Sequence, residues 1–186
     1  MFVAAGVLQA QNLVYVDASA TPPGTGTQAN PFTSIQVAVE SVGGFSQDVI
    51  LVRPGTYVES IDTLDKNLTI RSTDGPLVTT IEASDPSFAL TSQPQFFGNQ
   101  VGLEGFTVTG ADQGAALRAP VNMQLIVKRC IVRDNMVGGL NSYDLFFEES
   151  TLVDKRRRPE RRTGEHLTAH EHHRLAQRHG HHLATT

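Results

Sequence analysis

The chain has 186 residues, 39% of them hydrophobic, with a formal charge of −4, enough for one domain with a real core. No run approaches the roughly 18 apolar residues that a helical membrane span requires, so none is expected. The average hides a split: residues 155–186 hold all seven His, eight of the fifteen Lys and Arg and three Glu, a charge of +5, while residues 1–154 carry seven basic and sixteen acidic residues, or −9. An acidic body argues against nucleic acid as its partner, because phosphate binding needs a clustered basic surface.

Residues 1–12 are apolar and end near Ala10. They read either as the remnant of a secretory signal, without its basic start, or as a first arm. Leu13 to Val16 alternates like a strand, and Pro22, Pro23, Gly24 and Gly26 then mark a loop. Asn30 and Pro31 predict the start of a helix running to Val42, since Asn caps well and Pro is tolerated in the first turn. Phe32, Ile35, Ala38, Val39 and Val42 form its apolar stripe, and Gly43 and Gly44 stop it. One short amphipathic helix ahead of strands suggests a lid.

Asp48 to Arg53 is β-branched, Pro54 and Gly55 turn the chain, and Tyr57 to Ile61 predicts the next strand. Leu68 and Ile70, then Val78 to Ile81, fit another coil. From there a repeat is explicit. Val101, Leu103, Phe106 and Val108 are matched by Leu125, Val127, Cys130 and Val132, and again by Leu145, Phe147, Ser150 and Leu152. A third strand is marked by Leu117 and Leu140. Copies 20 to 24 residues apart with strand-like alternation are the signature of a solenoid whose coils are too thin to bury their own faces. The register points Cys130 inward as a small core filler, where no disulfide partner exists.

The strings ANPFTSIQVAV, DVILVRPGTYVES and LIVKRCIVRDN resemble the N-terminal part of secreted right-handed parallel β-helix proteins of the pectin-lyase-like superfamily. The resemblance covers residues 13–154. It implies an all-β solenoid of about four coils, a capping helix at 31–42, and a secreted, extracellular location. It does not choose a function, because the superfamily includes lyases, esterases, tailspikes and adhesive proteins. Gly55, Tyr57 and Glu59 match a Gly-x-Tyr-x-Glu string of pectin methylesterases, but the string also serves as turn and packing in β-helices without that activity.

On the outward positions, Arg71, Glu104, Lys128 and Glu148 fall in one row, with Arg129 and Glu149 beside it. Such a row supplies the base and carboxylates that a lyase needs, yet alternating charge is also the ordinary way to hold register on an exposed sheet. Ile126 and Phe146 share the neighbouring outward position, where Gly102 stands one coil earlier, and an aromatic there can serve as a sugar platform. Arg71, Glu104, Lys128, Arg129, Phe146 and Glu148 are therefore the candidate substrate-binding residues. No catalytic residue, metal site or resident cofactor is assigned; the resemblance leaves a calcium ion to a longer parent.

Residues 155–186 share neither pattern nor composition with the repeat and are expected to be disordered. A slipped reading frame is the expected source of their Arg- and His-rich text, and residues 13–154 are then expected to be the start of a longer solenoid. His170, His172, His173, His179, His181 and His182 lack the spacing of a metal site. The expected function is contact with extracellular polysaccharide or a cell-surface glycan, by a monomer with an aggregation-prone open end. The alternative is the N-terminal part of a carbohydrate-active enzyme, pectate-lyase-like or pectinesterase-like, with its active site past residue 154.

Overall fold

A computed structural model describes residues 12–44, 47–92, 99–135, 140–154, 160–162 and 165–168. The N-terminal arm or signal, the histidines from His170 onward and Arg156 to Arg158 of the basic cluster lie outside these residues. Strand β1 (Leu13–Val16) and helix α1 (Ile35–Ser41) precede the first coil, formed by β2 (Asp48–Val52), β3 (Gly55–Val58) and β4 (Ile61–Asp62). The second coil is β5 (Leu68–Ser72), β6 (Thr79–Glu82) and β7 (Leu90–Thr91). The third runs through β8 (Asn99–Glu104) and β9 (Thr107–Thr109) into the start of β10 (Leu117–Lys128). The rest of β10, β11 (Ile131–Asn135) and the start of β12 (Leu140–Glu148) make the fourth, and β13 (Ser150–Asp154) follows the end of β12.

Every pairing between successive coils is parallel. The large sheet runs β1-β2-β5-β8-β10-β12, the second β3-β6-β9-β11-β13, and the third face joins β4, β7 and the first residues of β10 and β12. The chain is a parallel β-solenoid of about four turns with one short helix. Its register is constant. Leu68, Val101, Leu125 and Leu145 stack in one file, and Ile50, Ile70, Leu103, Val127 and Phe147 in the next. Tyr57, Ile81, Val108, Val132 and Leu152 stack on the second sheet, while Ile61, Leu90, Leu117 and Leu140 align on the third face.

The corner between the first two sheets is built the same way three times. Gly105, Arg129 and Glu149 occupy it with φ of 79°, 51° and 47°, a left-handed conformation that costs residues with a Cβ energy and glycine little. Amides link the corners, Gly105 N donating to Lys128 O at 2.9 Å and Arg129 N to Glu148 O at 3.0 Å. Just inside lie buried Phe106, Cys130 and Ser150. Ser150 Oγ accepts from Cys130 N at 2.9 Å, and Phe106 N points at Cys130 Sγ at 3.5 Å. Burial pushes the Cys130 thiol up from 9.0 to about 12, so it stays a neutral core filler.

The lid begins later than Asn30 and Pro31 suggest. Phe32 is held extended against β1, its N–H donating to Tyr15 O at 3.0 Å and its carbonyl accepting from Asp17 N at 2.8 Å, and this pairing overrides the local helix signal. Helix α1 starts at Ile35 with Ser34 as N-cap, Ser34 Oγ accepting from Val37 N at 3.3 Å. Glu59 closes the same end, accepting from Ser34 Oγ at 2.8 Å and from the Ile35 and Gln36 amides at 2.9 Å each. Lys66 closes the other, its Nζ donating to the carbonyls of Val39, Glu40 and Val42 at 2.8, 3.2 and 2.7 Å. A carboxylate at the N-terminus and an ammonium at the C-terminus are the signs the helix dipole favours. Both come from the first coil and its exit, so they fasten the lid where Ile35, Ala38 and Val39 cover the core.

The predicted Tyr57–Ile61 strand is in fact two strands, because the chain bends at Glu59 and Ser60. Glu59 leaves the sheet to cap α1, and Ser60 Oγ accepts from Asp85 N and donates to Phe88 O, both at 2.8 Å. Two short segments after residue 154 are strands among the described residues. Strand β14 (Glu160–Arg162) pairs antiparallel with β13, and β15 (Glu165–Thr168) antiparallel with β12. These strands cover the outer edges of β12 and β13, because unpaired backbone donors and acceptors take whatever strand is within reach.

Two tests follow from this core. Val127→Asp places an unpaired carboxylate at a fully buried position and should cost several kcal/mol; urea unfolding will show it as loss of the folded baseline. Burial also pushes Tyr57 from 10.0 up to about 12. Both acids ionise more readily in the unfolded chain, so the stability they confer is complete below about pH 9 and is lost as pH rises toward 12. Denaturation midpoints measured from pH 8 to 12 should fall across that window.

Candidate functional site

The outward side chains of the large sheet form three parallel rows, because the constant register repeats each position one strand spacing further along the solenoid. The first row is charged. Leu51, Arg71, Glu104, Lys128 and Glu148 are successive register partners, so the structure brings the four expected residues together in the expected order. Their pairing is not a uniform alternation. Glu104, 8% exposed, is gripped by Arg71 from the coil before and by Arg129 from the corner after. Lys128 turns the other way, to Glu148 at 3.0 Å.

Arg129 reaches Glu104 because its left-handed corner directs it toward the previous coil. Each arginine side chain is about half exposed, so solvent weakens these attractions. Their main consequence is geometric, since a buried carboxylate with two guanidinium partners is neither a free base nor a free metal ligand. Among the described residues no group of three or more His, Cys, Asp or Glu could hold a metal ion.

The middle row is Val49, Thr69, Gly102, Ile126 and Phe146. Phe146 lies there half-buried beside Ile126, as the repeat implies. Gly102 leaves a gap between Thr69 and Ile126, and the surface dips there into a groove of about 180 Å³. Thr69, Gln100 and Ile126 line it together with Arg71, Glu104 and Lys128. A Cβ on Gly102 would come within 2.9 Å of Thr69 Oγ1, so the threonine leans across the space that the missing side chain leaves.

The third row escaped the sequence reading. Gln47, Asn67, Gln100, Gln124 and Asp144 each stand one residue before the first inward position of their strand. Gln47 Nε2 donates to Gln100 Oε1 at 3.4 Å, Gln100 Nε2 to Gln124 Oε1, and Gln124 Nε2 to Asp144 Oδ2 at 3.4 Å. Asn67 Oδ1 accepts from Gln100 N at 2.7 Å. The signal was a polar residue, mostly an amide, at a fixed offset ahead of each inward pair, which is apolar in every coil but the first.

The Gly55-x-Tyr57-x-Glu59 string is structural here. Gly55 has a φ of 156°, Tyr57 is buried with its hydroxyl donating to Arg53 O at 2.9 Å and accepting from Ala18 N at 3.2 Å, and Glu59 caps the lid helix.

No protein-family model matches the chain. A stretch of 83 residues, 45% of the chain, is 28% identical to a protein of Methanothermus fervidus named cell surface glycoprotein. That stretch corresponds to 13% of the glycoprotein's own length. Among the described residues no helix is long and apolar enough to cross a membrane.

The charged row can be tested by stability. Lys128→Met, at a half-exposed pair, should change unfolding free energy by no more than about 1 kcal/mol. Glu104→Gln weakens both arginine contacts of a buried carboxylate and should cost more, about 1–3 kcal/mol. Parallel urea titrations of the two variants will rank them.

Proposed function

We propose that this chain is a non-catalytic solenoid module of an extracellular surface, which contacts polysaccharide or cell-surface glycan through the outer face of its large sheet. The observation that carries this reading is the face itself: a ladder of amides beside a row of small and apolar side chains, flanked by a row of paired charges. Hydroxyl-rich ligands suit such a surface, since amides both donate and accept and an apolar side chain packs on a sugar ring. A parallel β-solenoid and a relative named cell surface glycoprotein fit a surface module. The resemblance to the pectin-lyase-like superfamily points the same way, toward a secreted glycan-contacting protein.

A lyase or esterase reading needs a base or nucleophile with room to act. The pairing of Glu104 with two arginines and of Lys128 with Glu148 favours the binding role over it. Retardation of the full chain in gels containing soluble polysaccharides tests the proposal. At least one glycan should retard it, with no release of unsaturated or de-esterified product from pectin or polygalacturonate, with or without calcium. Turnover would refute the non-catalytic role.

A further inference from the structure

We infer that Asn67 is an N-glycosylation site, an inference that rests on the extracellular placement proposed above and not on glycan binding. Of the seven Asn in the chain, Asn67 is the one followed two residues on by Ser or Thr, in Asn67-Leu68-Thr69, the acceptor sequon of exported proteins. Asp65 adds the acidic residue two positions earlier that bacterial transferases also read. The sequon leaves a turn in which Leu64 and Asp65 are left-handed, with φ of 53° and 58°, and enters β5. Asn67 and Thr69 stand two residues apart on the outer face, one in the amide row and one in the middle row.

The fold leaves unspent the two groups that this chemistry needs. Asn67 Oδ1 accepts from Gln100 N at 2.7 Å, yet among the described residues nothing accepts from Asn67 Nδ2 and nothing bonds to Thr69 Oγ1, and both atoms still meet solvent. Asn67 differs in this from Gln47, Gln100 and Gln124, whose amide nitrogens donate along the row. Transfer joins Nδ2 to C1 of a lipid-linked oligosaccharide phosphate: the C1–O bond breaks, its electron pair leaves with the phosphate, and one Nδ2 proton is released. The product keeps one N–H and the carbonyl that holds Gln100. The register therefore tolerates the glycan, and exposed Gln47, whose 3.4 Å contact to Gln100 spans Asn67, can yield to it. Strand β5 is paired on both sides, with β2 and β8, so transfer precedes docking of the next coil, while the sequon is still extended and open.

The test exports the full chain into a bacterial periplasm equipped with an oligosaccharyltransferase and its lipid-linked donor, beside a control protein with a known sequon, and reads intact and peptide masses. The expected result is one oligosaccharide on the peptide that carries Asn67, lost in Asn67→Gln and in Thr69→Ala and kept in Thr69→Ser. Because transfer precedes folding, these masses are readable even for a variant that folds poorly. The far-UV circular dichroism and thermal midpoint of the modified wild-type chain should match those of chain made without the transferase. A wild-type chain left unmodified while the control is modified, a glycan that survives Asn67→Gln, or a modified chain that fails to fold each overturns the site. None of these outcomes touches the glycan-contacting role, which the retardation gels read on chain made without the transferase.

Discussion

Each coil of this solenoid is one side chain deep, so Ile50 has no core to enter until Ile70 lies over it, nor Ile70 until Leu103 does. In-register stacking is therefore the interaction on which everything else depends. A fully buried aliphatic side chain contributes about 1.5–3 kcal/mol relative to exposure, and here that gain is shared between neighbouring coils. The same register that stacks the inner files also stacks the outer rows. The Arg71–Glu104–Arg129 grip, the Gln100–Gln124–Asp144 amide ladder and the groove at Gly102 are consequences of it. A slip of one residue would send every inward file to solvent and dissolve the face.

Repetition leaves two ends where stacking has no partner. At the first, α1 covers the core, and its two termini are bound by opposite charges from one stretch of chain, Glu59 and Lys66. The Gly-x-Tyr-x-Glu string gains its meaning from this arrangement: the tyrosine anchors the first coil and the glutamate holds the lid. At the other end β14 and β15 lie antiparallel on the last parallel strands. Antiparallel pairing there satisfies backbone groups without adding a coil.

The solenoid was legible wherever the repeat was, because inward positions are apolar in most coils. Val101, Leu125 and Leu145 share their offsets for that reason. The charged row was legible as a row by the same arithmetic. Its partners were not, since the choice of Glu104 by Arg129 depends on a left-handed corner that no residue type at 129 announces. The helix start was misread because Asn30 and Pro31 carry a strong local signal that the pairing of Phe32 with β1 overrides. The amide row was missed because attention to apolar alternation passes over the polar residue just before it. Glu59 could be read as part of a motif but not as a cap, because its helix lies 23 to 25 residues earlier in the chain.

The constant parallel register is the central claim, and cysteine pairs on the exposed row test it directly. Lys128 and Glu148 are register partners, about 4.8 Å apart along the solenoid and within reach of a disulfide. Lys128 and Phe146 are two residues out of register, about 8 Å apart and too far to bridge. Oxidation of Lys128→Cys/Glu148→Cys should close a bridge quantitatively in the folded protein, while Lys128→Cys/Phe146→Cys stays reduced and buried Cys130 takes no part. Bridging of the second pair in preference to the first would contradict the register and the face built on it.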